Sequence, residues 1–195
     1  MSTGESVVKP VVYVRFFKGW LIRQALPGDD IRSPYINTRE LKDGSRVDEL
    51  SFNRLEGHIH DVYNSTKQYG NNKLEQYINL HMMTADGEER KIQVKLFSKA
   101  GQAILDRIEN IDYSKPIVVR TGVGPDDEYG FLWIKQFGDN VKSNYTKADR
   151  GDKPEWKSIS LDDGTIIWDK SDQLRWWLSK LVTIRQDITT KRVTL

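Results

Sequence analysis

The sequence predicts a mainly β protein built around a five-stranded barrel, with one helix between the third and fourth barrel strands. Three observations predict it. Short segments alternating aliphatic with polar or aromatic residues recur between residues 51 and 137; Asp- and Gly-rich turn signals separate them; and residues 98–111 alone switch to a helical period. N-terminal strands precede this unit, and a C-terminal β-hairpin and helix follow it.

Residues 11–24 (VVYVRFFKGWLIRQ) are β-branched and aromatic and end at Pro27-Gly28-Asp29-Asp30, which reads as one bent strand or a strand pair. Residues 31–50 are mixed and turn-rich and read as a long connection, so that 1–50 forms an N-terminal strand and connection packing on the barrel. From Ser51, the residues Leu55, Gly57, Ile59 and Asp61 share one face of a candidate strand, and Arg54, Glu56, His58 and His60 share the other. Gly57 sits mid-strand, where glycine marks a bulge or sharp bend. A polar loop over 64–73 leads to residues 76–83, in which Ile78, Leu80 and Met82 oppose Tyr77, Asn79, His81 and Met83. The Asp86-Gly87 turn returns the chain through Ile92, Val94 and Leu96 against Lys91, Gln93, Lys95 and Phe97.

Ser98 is placed to cap a helix whose Ile104, Leu105, Ile108 and Ile111 recur at helical spacing. Residues 117–121 and 129–137 form the last two strands on either side of the Gly124 to Asp127 turn region. Three strands, a helix and two strands, with a glycine in the first, is the connectivity of the OB-fold barrel, here over residues 51–138. Residues 139–155 are polar and read as an exposed loop or linker. Residues 156–182 carry a hairpin around Asp163-Gly164 and an amphipathic helix with Leu174, Trp177, Leu178 and Leu181 on one stripe. Trp177 belongs to that stripe, whereas Trp176 lies about 100° off it and is set to pack on the hairpin or a partner. Residues 183–195 are polar and predicted to be a flexible tail.

Cysteine is absent, which excludes disulfides, thiolate metal sites and cysteine nucleophiles. No apolar run is long enough for a membrane span or a signal peptide, so the expected compartment is the cytoplasm of a bacterium or of an infected host cell. Thirty basic against 28 acidic residues leave a charge of +2, spread evenly along the chain. Any basic surface must therefore be assembled by alternation on strands.

Such an assembly is visible. Opposite the aliphatic positions, three strands carry aromatic and basic side chains together: Tyr13, Arg15 and Phe17; Lys91, Lys95 and Phe97; Phe131, Trp133, Lys135 and Phe137. Unpaired bases stack on aromatic rings, and Lys and Arg follow phosphates. A face of this kind suits single-stranded nucleic acid. The competing reading puts the aromatic set in the barrel interior, but three lysines in that set argue against complete burial.

His58, His60, Asp61 and His81 are the only grouping with the residue types of a metal site, and they lack a converging third ligand, so no metal or other cofactor is assigned. No P-loop, dinucleotide fingerprint, nucleophile elbow or H-E-x-x-H motif occurs. The acidic pairs 29–30, 126–127 and 162–163 all stand in turn contexts. The expectation is a protein that is not an enzyme.

The stretches EGHIHDV, YINLHMMTADGEERKIQVKLFSKAGQAILDRI and FLWIKQFG, within residues 55–137, resemble OB-fold single-stranded-DNA-binding proteins of the divergent phage and Bacteroides type. The resemblance covers under half of the chain. It implies binding of single-stranded DNA, with RNA as a second substrate, during replication, recombination or repair. The positions it implies are Lys91, Lys95, Phe97, Phe131, Trp133, Lys135 and Phe137, with Tyr77 and His81 beside them. Replication proteins and further copies of the chain are the implied partners. Many members end in an acidic tail, but residues 183–195 here hold Arg185, Lys191 and Arg192 against Asp187. The alternative is a non-catalytic OB-fold module that binds protein in a replication or phage assembly.

Overall fold

Alternation along the chain becomes the two faces of one large mixed sheet, seen in a computed structural model that describes residues 11–30, 32–70, 73–124, 130–145 and 149–193. Strands β1 (Val12–Phe17) and β2 (Trp20–Gln24) form a hairpin closed by Lys18 and Gly19, both with positive φ (46° and 79°). A two-residue turn of that kind matches the right-handed twist of its strands.

Residues 31–50 are not simply a connection. They carry β3 (Ile36–Glu40) and most of β4 (Arg46–Phe52), a second hairpin that pairs with β2. β3 is polar beyond Ile36, and in β4 the one buried position is Glu49 while Val47, Leu50 and Phe52 are partly exposed, so the apolar alternation signal is weak there.

β5 (Arg54–Tyr69), β6 (Lys73–Met83), β7 (Glu89–Lys95), α1 (Lys99–Ile108), β8 (Ile117–Val123) and β9 (Gly130–Gln136) follow in the order the sequence predicts. Ser98 caps α1 through a hydrogen bond from the Gly101 amide, 3.1 Å. The polar loop expected over 64–73 is instead strand, with pairing continued out to Tyr69 opposite Lys73. The register shift in β5 lies between Ile59 and Asp61, not at Gly57. Gly57 has a different purpose: a Cβ there would stand 2.3 Å from the Met83 carbonyl oxygen.

The sheet order is β10-β9-β8-β5-β6-β7-β1-β2-β4-β3, where β10 is Asp139–Asn140. β5 pairs with β6 along most of its length and with β8 through residues 54–57. The far edge of β7 is taken by β1, running parallel with Val14 opposite Ile92. That pairing extends the five strands into a ten-stranded sheet that is not closed, so the sheet differs from the five-stranded barrel predicted. The reason is energetic: docking β1–β2 on β7 buries Val14 and Leu21 completely. The β1–β2 turn also meets the β8–β9 pair, where Gly19 and Gly130 approach so closely that a Cβ on Gly130 would lie 2.1 Å from the Gly19 nitrogen.

One continuous core lies between the inner face of the sheet, α1, and α2 (Ser171–Val193). The segment expected as an exposed linker packs on this core: Val141 is buried, Tyr145 stacks edge-on against Trp177, and Lys153 pairs with Asp106 at 2.7 Å. The expected flexible tail is helical through Val193. Ile184 and Ile188 prolong the stripe of Trp177 and Leu181 at alternating spacings of three and four, and both are buried. Trp176 lies off that stripe, against Tyr145 and Trp177. Strands β11 (Lys157–Ser160) and β12 (Ile166–Asp169) form the predicted second hairpin as a separate two-stranded sheet. No helix among the described residues is long and apolar enough to cross a membrane.

Candidate nucleic-acid interface

The outer face of β5, β8 and β9 is fixed by register. Arg54 stands opposite Arg120, and Arg120 opposite Trp133; Glu56 stands opposite Val118, and Val118 opposite Lys135. The aliphatic partners in these strands, Leu55, Val119, Leu132 and Ile134, are buried below. Trp133, 39% exposed, lies beside Phe131 with ring centres 6.1 Å apart, and its indole rests over Gly122.

Phe137 continues the row from an unusual backbone. With φ of 56° it starts the two-residue turn to β10, followed by Gly138 at 87°, and its ring is 74% exposed. Left-handed backbone costs an L-residue about 1–2 kcal/mol. A large exposed ring gains nothing from burial to offset this.

Beside these rings run two contiguous depressions of about 350 and 430 Å³, sharing Arg54, Arg120 and Lys135 along their floor. Lys115 borders the second, and Asn53 and Asn140 border the first. The one acid in the lining, Glu56, is engaged by Arg54 at 2.6 Å. Two guanidinium side chains directly across a strand pair repel one another. An anion between them would relieve that repulsion.

A second group of predicted residues shares the outer side of the sheet but lies farther along it. Asp61, His81, Lys91 and Tyr13 form one cross-strand row, and Tyr63, Asn79, Gln93 and Arg15 the next. Lys91 Nζ stands 4.9 Å from the Tyr13 ring centre and 5.3 Å from that of Tyr63. Its pKa is raised, chiefly by the hydrogen bond with the Tyr63 hydroxyl, so the ammonium stays charged. Tyr13 and Phe17 are exposed, at 63% and 50%.

Much of this second group is committed to its neighbours. Arg15 pairs with Glu49, Lys95 with Glu75, and His81 with Glu89 at 3.2 Å. Gln93 and Ser65 satisfy buried Asn79. Two predicted contact residues are corrected here. Tyr77 is only 7% exposed, held under hydrogen bonds with Tyr69 and Glu75 that push its hydroxyl pKa up after burial has done so first. Phe97 falls just beyond β7, packs on the core and meets Trp156 edge-on. Neither offers a free stacking face.

His60 and His81 stack at 6.3 Å, and among the described residues no group of three potential ligands is arranged to hold a metal ion. A depression of about 550 Å³ lies elsewhere, between α1, Tyr145, residues 150–156 and the base of the β11–β12 hairpin. It contains the Lys153–Asp106 pair, where burial raises the Asp106 pKa against the opposing pull of Lys153.

Comparison with protein-family models, with curated proteins and with solved structures gives no match.

The sequence reading missed Arg54, Lys115 and Arg120. Arg120 was nonetheless legible: antiparallel pairing of 117–123 with 130–136 sets it across from Trp133. Taken together, the groove offers three rings for stacking and, in Arg54, Lys115, Arg120 and Lys135, cations for an anionic backbone.

Proposed function

We propose that this protein binds single-stranded DNA with little sequence preference, stacking bases on Phe131, Trp133 and Phe137 while Arg54, Lys115, Arg120 and Lys135 contact phosphates. The observation that carries this reading is the Arg54–Arg120–Trp133 row, a like-charge pair beside a partly exposed indole. Base-on-ring stacking contributes roughly 1–3 kcal/mol per base regardless of base identity. Tyr13, Phe17 and Lys91 extend the path across the sheet. RNA fits the same chemistry, and the role is non-catalytic, in replication, recombination or repair.

Segment β5-β6-β7-α1-β8-β9 has OB-fold order, with β5 pairing both β6 and β8, and β1 lies at the β7 edge. In this view the N-terminal hairpin widens an OB-type sheet.

The test is titration of intrinsic tryptophan fluorescence with an oligothymidine at low and high salt, with duplex DNA of equal length as control. Saturable quenching by the single strand, reversed by salt, is expected. No quenching, or equal quenching by duplex, would overturn the reading. The second reading, a protein-binding module, is favoured by one feature, the apolar exposure of the β11–β12 hairpin.

A further inference from the structure

Among the described residues, the β11–β12 hairpin is anchored at its base. Trp156 donates to Gln173, Lys157 pairs with Asp172, and the Asp169 carboxylate accepts from the Ser171 amide. Beyond that base, the strand residues pair only with each other, in a sheet separate from the main one. Ile159, Leu161, Ile166 and Ile167 are each more than 40% exposed. A lone two-stranded hairpin is marginally stable in water, and exposed aliphatics gathered on one face, as Ile159, Leu161 and Ile167 are here with Ile166 on the other, mark an interaction surface.

The tip of this hairpin is acidic. Asp162 and Asp163 sit in the turn between Leu161 and Gly164, and over residues 157–169 one lysine faces three aspartates. The groove on β5, β8 and β9 is its complement among the described residues: Lys115, Arg120 and Lys135, the Arg54–Glu56 pair, and the apolar rings of Phe131, Trp133 and Phe137. We infer that the acidic, aliphatic tip of the β11–β12 hairpin of one copy docks in the Arg54–Arg120–Lys135 groove of a second copy. Because hairpin and groove are different surfaces, the contact is head-to-tail and propagates as an open chain or a ring. The groove is the one proposed above for single strands, but the association is measured without nucleic acid, so either proposal can fail without the other.

The experiment is sedimentation velocity of the full chain over rising concentration, at low salt and without nucleic acid. Wild type should associate reversibly, and added salt should weaken it. Asp162→Lys with Asp163→Lys should sediment as monomer, and so should Arg120→Glu with Lys135→Glu. An equimolar mixture of the two variants restores opposite charge at every contact and should associate again. This recovery also establishes that both variants are folded. A wild type that stays monomeric into the micromolar range, variants that associate as wild type does, or a mixture that stays monomeric would each overturn the inference.

Discussion

The indole of Trp133 meets Gly122 with one edge of its six-membered ring, so closely that a Cβ there would stand 3.1 Å from Trp133 Cη2 and 3.2 Å from Cζ3. The glycine is thus the seat of the ring, and it sits opposite Phe131 in the ladder. Gly122→Val should tilt the indole out of its position while suiting strand backbone, since branched residues favour strands. Affinity for oligothymidine should fall by roughly 1 kcal/mol, about fivefold, with the melting temperature little changed. Anisotropy and thermal melting on the same sample check both halves.

Phe137 separates function from stability in another way. Its left-handed backbone is a conformation glycine adopts without penalty, and its ring is mostly exposed. Phe137→Gly should leave the fold as stable or stabilise it by about 1 kcal/mol, and should weaken oligothymidine binding. Denaturant unfolding and anisotropy give the two numbers.

Charge in the groove should appear as salt dependence. Each phosphate contact on a single strand contributes about 0.7 to the slope of log affinity against log salt. Arg120→Ala should lower that slope by about this amount, whereas Arg150→Ala, whose ion pair with Glu155 lies outside the groove, should not change it.

Acid stability should expose the Arg23–Asp29 pair. Two hydrogen bonds of 2.6 and 2.7 Å join a nearly buried guanidinium to a nearly buried carboxylate, and they hold the Asp29 pKa below its ordinary value of 3.8. A depressed carboxyl stabilises the fold above its unfolded pKa, and the contribution is lost as pH falls through the folded one. Asp29→Asn should therefore cost about 2 kcal/mol at neutral pH, with the gap to wild type closing below about pH 4. Urea unfolding across pH reads this out.

How far the sequence reveals the fold depends on the element. Alternation of Ile78, Leu80 and Met82, and of Ile92, Val94 and Leu96, places strands β6 and β7 and their faces correctly, because one face is wholly buried. β3 and β4 escape notice because Thr38 and Arg39 are held by cross-strand polar bonds to Asp48 and Glu49, not by a fully buried apolar face. The end of α2 escapes for a related reason: Arg185, Gln186 and Asp187 make 183–193 look polar, although Ile184 and Ile188 are buried and Arg185 is held by two hydrogen bonds to the Asp61 carboxylate. That Tyr13 and Phe17, and Phe131 and Trp133, share a face of their strands follows from strand parity, but their exposure needed the structure, and Phe137 owes its exposure to the turn after β9. The withdrawal of Phe97 and Tyr77 does not, since Trp156 and Tyr69 reach them from distant or looped-back segments.

Seating of α2 has a measurable consequence. Ile188→Ala should destabilise the protein by about 2–4 kcal/mol, as for other buried aliphatic truncations. Trp177→Phe should cost far less than Trp177→Ala, since the indole N–H is buried without a hydrogen-bond partner among the described residues. Denaturation midpoints of the three variants decide it.

The most direct measurement is the anisotropy of a labelled oligothymidine titrated with wild type and with Trp133→Ala, Phe131→Ala and the double variant, each checked by circular dichroism. Stacking in the groove predicts folded variants whose affinity falls by about 5- to 150-fold per ring. Folded variants that bind as tightly as wild type would contradict the interface, and variants that unfold would return these rings to a packing role.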